Sequence, residues 1–188
     1  RVIPHMIVVV PCDSVQTKAA TLAVAATFGP TYLRFARAES AVITTPHTPF
    51  ELGRAQVFRE GNDVAIVACG ILVYNALLAA AELAERDGIE CRVVNNHTIK
   101  PMDEPAIVTA AKACGAVVTV EEHQVHGGMG SRVAEILAAQ NPVPIEFIGV
   151  HDRFGQSGTP TELTREYGMS PEAIADAVRR VHKRKSAR

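Results

Sequence analysis

The chain has 188 residues, a net charge of −1, 47% hydrophobic residues and 5% aromatic residues, with no Trp. So even a balance excludes an overall field that would gather nucleic acid or an anionic membrane. No apolar run reaches the roughly 20 residues of a membrane helix, and no signal peptide opens the chain. The length suits one generous domain, or one domain with an appendage.

Arg1 to Pro4 lead at once into a predicted strand, Met6 to Val10, closed by Pro11-Cys12-Asp13. Asp13 with Gln16 three residues on forms a capping-box-like helix start, ahead of an alanine-rich helix to about Phe28. Gly29-Pro30 stops that helix, and a second strand is expected over Tyr32 to Arg37, with Arg34 and Arg37 near its C-terminal end. One β-α-β unit has too few strands to stand alone and reads as the tail of a larger domain. From Glu39 to about Glu60 the text is irregular and proline-punctuated, as in a linker laid over a surface, with His47 a solvated loop residue.

A second unit follows. Asp63 to Ala68 is a predicted strand, Cys69-Gly70 a turn, and Val73 to Arg86 a helix ended by Asp87-Gly88. Cys91 to Val94 is the next strand, and Asn95 to Asp103 a turn. Asp103 caps a helix that Pro105 enters in its first turn and that ends near Gly115. The stretch Ala116 to Ala139 organises the rest: a β-branched strand to Val120, a polar turn with Glu121, Glu122 and His123, the glycines Gly127, Gly128 and Gly130, then a helix striped by Val133, Ile136 and Leu137. Free N–H groups at such a helix start make a physical anion site, although the spacing is not a dinucleotide fingerprint. Close packing is the plainer use of the glycines. The three polar residues suit acid/base chemistry, an interface or hydrogen bonding equally well.

A strand near Ile145 to Val150, a glycine-rich loop over Phe154 to Gly158 and two helices finish the chain. The first helix runs near Pro160 to Tyr167; the second is capped by Ser170 with Pro171 and Glu172 in its first turn. The basic run Arg179, Arg180, His182, Lys183, Arg184, Lys185 is expected to be a solvated helix end trailing into a frayed tail. Cys12, Cys69, Cys91 and Cys114 form no C-x-x-C pair and lie in or beside apolar runs, which predicts buried free thiols in a reducing cytoplasm. The whole pattern predicts an α/β fold: a mostly parallel sheet covered by helices on both faces, preceded by a partial β-α-β unit.

Several segments together resemble the C-terminal part of a transketolase. They are Pro11-Cys12-Asp13, Gly29-Pro30-Thr31-Tyr32-Leu33-Arg34-Phe35-Ala36-Arg37, Thr98-Ile99-Lys100-Pro101-Met102-Asp103, Val120-Glu121-Glu122-His123 with Gly127-Gly128-Met129-Gly130-Ser131, and Ser157-Gly158-Thr159-Pro160 with Glu162-Leu163. Their order spans nearly the whole chain. The resemblance implies that residues 1–40 end a thiamine-diphosphate pyrimidine-binding domain, that 41–59 link, and that 60–188 form the transketolase C-terminal domain.

It further implies a thiamine-diphosphate enzyme with a divalent metal such as Mg, moving two-carbon ketol units between sugar phosphates in pentose phosphate chemistry. The cofactor and metal would be held mainly by an N-terminal portion or subunit, so this chain alone should be inactive and should carry no catalytic, cofactor or metal residues of its own. Arg37 matches the family's arginine that grips the substrate phosphate, with a fork suited to bidentate binding. Arg34 is a second contact or a structural ion-pair residue. Expected partners are that N-terminal portion, a sugar phosphate and further copies of the chain in a dimer. Glu121, Glu122, His123, Lys100 and Asp103 read as structural or interface residues. Rival expectations are the C-terminal part of a 1-deoxy-D-xylulose-5-phosphate synthase, the β subunit of a 2-oxo-acid dehydrogenase, and a non-catalytic dimerisation or regulatory module binding an anion at the helix near Gly128.

Overall fold

The computed structural model describes residues 1–37 and 39–186. Ala38, just after Arg37, and Ala187 and Arg188, at the end of the predicted 60–188 unit, lie outside the described residues. In chain order the elements are β1 Ile7–Val9, α1 Ser14–Ala25, β2 Thr31–Leu33, β3 Gln56–Arg59, β4 Val64–Ala68, α2 Leu72–Asp87, β5 Cys91–Asn95 and β6 Thr98–Lys100. After them come α3 Glu104–Cys114, β7 Val117–Gln124, α4 Met129–Gln140, β8 Ile145–Val150, α5 Pro160–Glu166 and α6 Pro171–Ser186.

Five strands make the main sheet in the order β3-β5-β4-β7-β8. All of its pairs are parallel except the edge pair β3–β5. All five residues of β4 are buried, as a strand covered on both faces requires. Two cores flank it. Ile66, Leu72, Leu83, Ile174 and Val178 pack on the face under α2 and α6. Val67, Ile107, Val133, Ile136 and Leu137 fill the face under α3 and α4. Each such fully buried Val, Ile or Leu contributes about 1.5–3 kcal/mol.

The first strands form a small sheet ordered β2-β1-β6. Its third strand, β6, comes from the second unit and pairs antiparallel with β1. The two units therefore share a seam, closed by Val10 N–H to His97 O at 2.7 Å and Gly70 N–H to Val10 O at 3.2 Å.

Several local expectations change. Thr98–Lys100 is a strand rather than part of a turn, because Ile99 buries against Val8 and Val10 while the Lys100 ammonium donates to the carbonyls of Arg1 and Ile3. The last residues of the irregular stretch, Gln56–Arg59, form the edge strand β3. The second strand ends at Leu33, before Arg34. The basic end of α6 is paired rather than frayed: Arg179 binds Asp87 and Asp176, Arg180 and Arg184 bind Glu146, and Lys185 donates to Asp63 O. All four cysteines are buried and free, as expected, and burial pushes the Cys12, Cys69 and Cys91 thiols up to about 12.

The predicted caps form, Ser170 among them, which accepts Ala173 N–H at 3.4 Å. Asp103 accepts from Ala106 N–H at 3.2 Å, and its other oxygen takes Ala55 N–H at 3.0 Å. Asp13 does more than cap α1. It accepts Gln16 N–H at 2.8 Å, Thr44 Oγ1–H at 2.7 Å, Thr44 N–H at 2.6 Å and Ile43 N–H at 2.8 Å. One buried carboxylate thus ties the first unit to the irregular stretch. Burial alone would push this carboxyl up, but the four donors together hold it below its ordinary 3.8. A depressed value means that the stabilisation is present above the unfolded pKa and is lost as pH falls through the folded one. Asp13→Asn should therefore cost about 1–2 kcal/mol at neutral pH. In urea melts taken down the pH scale, the gap between wild type and variant should close in acid; a gap independent of pH would contradict this.

Candidate functional site

At the C-terminal ends of β1, β2, β4 and β7 a cleft of about 310 Å³ opens on the seam. Its lining is Val10, Pro11, Arg34, Phe35, Ala36, Arg37, Gly70, Ile71 and Glu122. Chain direction explains the gathering: residues that leave parallel strands at the same end converge there, which is where open α/β sheets bind ligands. Gly70 adopts φ +64, a left-handed turn that sends the chain from β4 into α2. Helix α2 starts with no side-chain cap, so the positive end of its dipole faces this region.

Both predicted arginines line the cleft. Arg37 is exposed, and among the described residues no hydrogen bond or ion pair engages its guanidinium. Arg34 is half-buried and reaches across the seam: its backbone N–H donates to Val9 O at 2.9 Å, and Nη1 donates to Glu122 O at 3.1 Å. A carbonyl, not a carboxylate, is its partner. Glu122 was missed as a cleft residue because the sequence suggests a turn there, whereas β7 runs on to Gln124.

The glycine-rich turn resolves differently from its expected anion site. Glu121, 2% exposed, accepts Met129 N–H on Oε2 and Gly130 N–H on Oε1, each at 2.7 Å. The start of α4 is therefore filled by the chain's own carboxylate, which removes the expected binding of an outside anion there. Close approach explains the glycines: a Cβ at Gly128 would lie 2.4 Å from Glu121 Oε2, and one at Gly130 2.5 Å from Thr119 Oγ1. Burial pushes the Glu121 carboxyl up, and the two N–H donors, with His123 and Arg34, pull it part of the way back. Glu121 and His123 border a separate cavity of about 90 Å³, which shares Arg34 with the cleft.

His97, which carried no expectation, is fully buried, stacks on Phe50 with centroids 4.4 Å apart, and bonds through Nδ1 to Thr98 Oγ1 at 2.9 Å. Burial lowers its pKa to about 4, so it is a neutral packing residue at the seam. Among the described residues no cluster of three or more His, Cys, Asp or Glu side chains could hold a metal ion, and no helix is long and apolar enough to cross a membrane.

Comparison with known proteins places this geometry. The family model for the transketolase C-terminal domain matches residues 53–174. A 6-deoxy-6-sulfo-D-fructose transketolase subunit from Clostridium sp. (strain MSTE9) is 44% identical over 188 residues, covering all of this chain and 58% of that protein. A 1-deoxy-D-xylulose-5-phosphate synthase from Thermomicrobium roseum is 40% identical over 179 residues, covering 93% of this chain but 28% of that protein. A solved structure described as a split gene transketolase, inactive beta4 tetramer, superposes with a TM-score of 0.95 at 44% identity, over 98% of this chain and 60% of that one. The chain thus spans little more than half the length of the split transketolase relatives it matches, and the comparison favours them over the synthase. It belongs to the transketolase family, as a C-terminal part of a transketolase.

Proposed function

We propose that the chain works as the C-terminal subunit or portion of a thiamine-diphosphate-dependent transketolase, which moves two-carbon ketol units between anion-terminated sugars. Residues 1–40 would end the pyrimidine-binding domain, 41–59 would link, and 60–188 would form the C-terminal domain. The small sheet that borrows β6 from the second unit supports an incomplete first domain.

When bound, thiamine diphosphate supplies the carbanion chemistry of ketol transfer. The proposal assigns both to an N-terminal partner; among the described residues no cluster of three or more His, Cys, Asp or Glu side chains could hold the metal. The contribution of this chain is the cleft. Arg37 offers an unpaired planar fork to a phosphate or sulfonate terminus, and Arg34 braces the wall beside it. The single observation that carries the reading is that Arg37, unpaired among the described residues, stands at the strand ends of the seam. The relative named for a sulfonated ketose supports an anion-terminated substrate. Self-association in the absence of the partner is supported by the solved relative described as a tetramer.

Mixing the purified chain with an N-terminal transketolase portion, thiamine diphosphate and magnesium should give ketol transfer, and the chain alone should give none. Activity of the chain by itself, or an inactive mixture that nonetheless forms the complex, would refute the proposal.

A further inference from the structure

We infer that the loop joining β8 to α5 is the surface that docks the N-terminal portion, with Phe154 as its anchor. The inference rests on the proposed reading of the chain as one part of a two-part enzyme, and it deepens that reading by locating the contact. Every residue from His151 to Thr159 is exposed, and Phe154 is 99% exposed. A lone exposed aromatic needs no explanation by itself; the scaffold that presents this one does. The Gln124 side chain grips the loop at two points, donating through Nε2 to Arg153 O at 2.7 Å and accepting Asp152 N–H on Oε1 at 3.0 Å. Tyr167 Oη–H donates to Phe154 O at 2.8 Å. The Arg153 guanidinium pairs with Glu166 at 2.8 Å and lies 5.2 Å from the centroid of the Tyr167 ring. Thr159 and Glu162 close the far end as a capping box. The backbone around Phe154 is thus held while its ring stays in solvent, so docking it costs little conformational entropy.

Placement selects the partner. Gln124 lies two residues along β7 from Glu122, which lines the cleft. Beyond the loop, Pro160 and Thr161 border a cavity of about 280 Å³ that shares Ile71 with the cleft. The loop therefore runs beside the cleft, at the end of the sheet where open α/β folds bind their ligands. A portion that brings the reactive cofactor to the cleft has to cover this rim. The tip defines the complementary surface. Phe154, Gly155, Gln156, Ser157 and Gly158 include no charged side chain, and among the described residues no hydrogen bond engages their backbone N–H groups. An uncharged apolar socket rimmed by hydrogen-bond acceptors fits them, as at the centre of a protein–protein interface.

The test titrates the N-terminal portion, loaded with thiamine diphosphate and magnesium, into wild type and variants. Calorimetry gives Kd, ketol transfer gives kcat, and sedimentation of the chain alone gives its self-association. Phe154→Ala should weaken Kd roughly 10- to 100-fold, and Phe154→Leu should recover part of the loss. Gln124→Ala, which frees the loop but keeps the ring, should weaken Kd roughly three- to tenfold. At saturating N-terminal portion the variants should return to the wild-type kcat, and self-association should not change. An unchanged Kd in Phe154→Ala overturns the inference. So does a kcat that stays low at saturation, or a variant whose copies dissociate while its Kd holds, which would assign the ring to a second copy of the chain. If wild type binds the portion and transfers ketol units with it, these failures touch only the docking surface. If wild type does neither, the two-part reading falls and the docking surface with it.

Discussion

Replacing Glu121 with Ala is expected to cost about 3 kcal/mol of stability, an unusually large effect for a single polar side chain. The substitution takes the carboxylate acceptor away from the buried N–H groups of Met129 and Gly130. Each orphaned donor costs about 1–3 kcal/mol, and a favourable interaction with the positive end of α4 is lost as well. Against that stands relief from burying a charge, which burial has already made expensive. The donors outweigh it, because two buried N–H groups lose a charged acceptor at once. Glu121→Gln keeps one acceptor and should lose about half as much. Urea melts give the free energies. Amide exchange at Met129 and Gly130 gives the location, and both amides should speed up in Glu121→Ala before the rest of α4 does. Gly128→Ala should share that pattern, since its Cβ would displace the same carboxylate. A loss under 1 kcal/mol with unchanged exchange would show that the carboxylate is not what holds the start of α4.

The same carboxylate marks where the sequence could be read and where it could not. Strand β7 and helix α4 were legible from Val117, Val118 and Val120 and from the stripe Val133, Ile136 and Leu137, because burial on both faces of a sheet and helical spacing leave direct signatures. The occupant of the glycine turn was not legible. An empty helix start and one filled from eight residues upstream have the same local text, and only the tertiary path of β7 decides between them. The caps Asp13 and Asp103 were visible because capping is local; the grip of Asp13 on Ile43 and Thr44, 30 and 31 residues away, was not. Strand β6 was hidden in a three-residue segment whose pairing partner, β1, lies far upstream at Ile7–Val9. For the cleft, family resemblance pointed to Arg37 and Arg34, whereas Glu122 joins them only because the end of β7 comes to lie beside the segment that follows β2.

The central claim is that this chain lends an arginine fork to a pocket whose reactive cofactor is held elsewhere. Its sharpest test is the effect of Arg37→Ala on kcat/KM in the reconstituted enzyme, measured for an anion-terminated ketose and for an uncharged ketose of the same reacting end. Loss of charge-assisted hydrogen bonds to the terminal anion should lower kcat/KM for the anionic sugar roughly 10- to 100-fold, mostly through KM, and leave the uncharged sugar within about twofold. Equal losses on both sugars would contradict the claim.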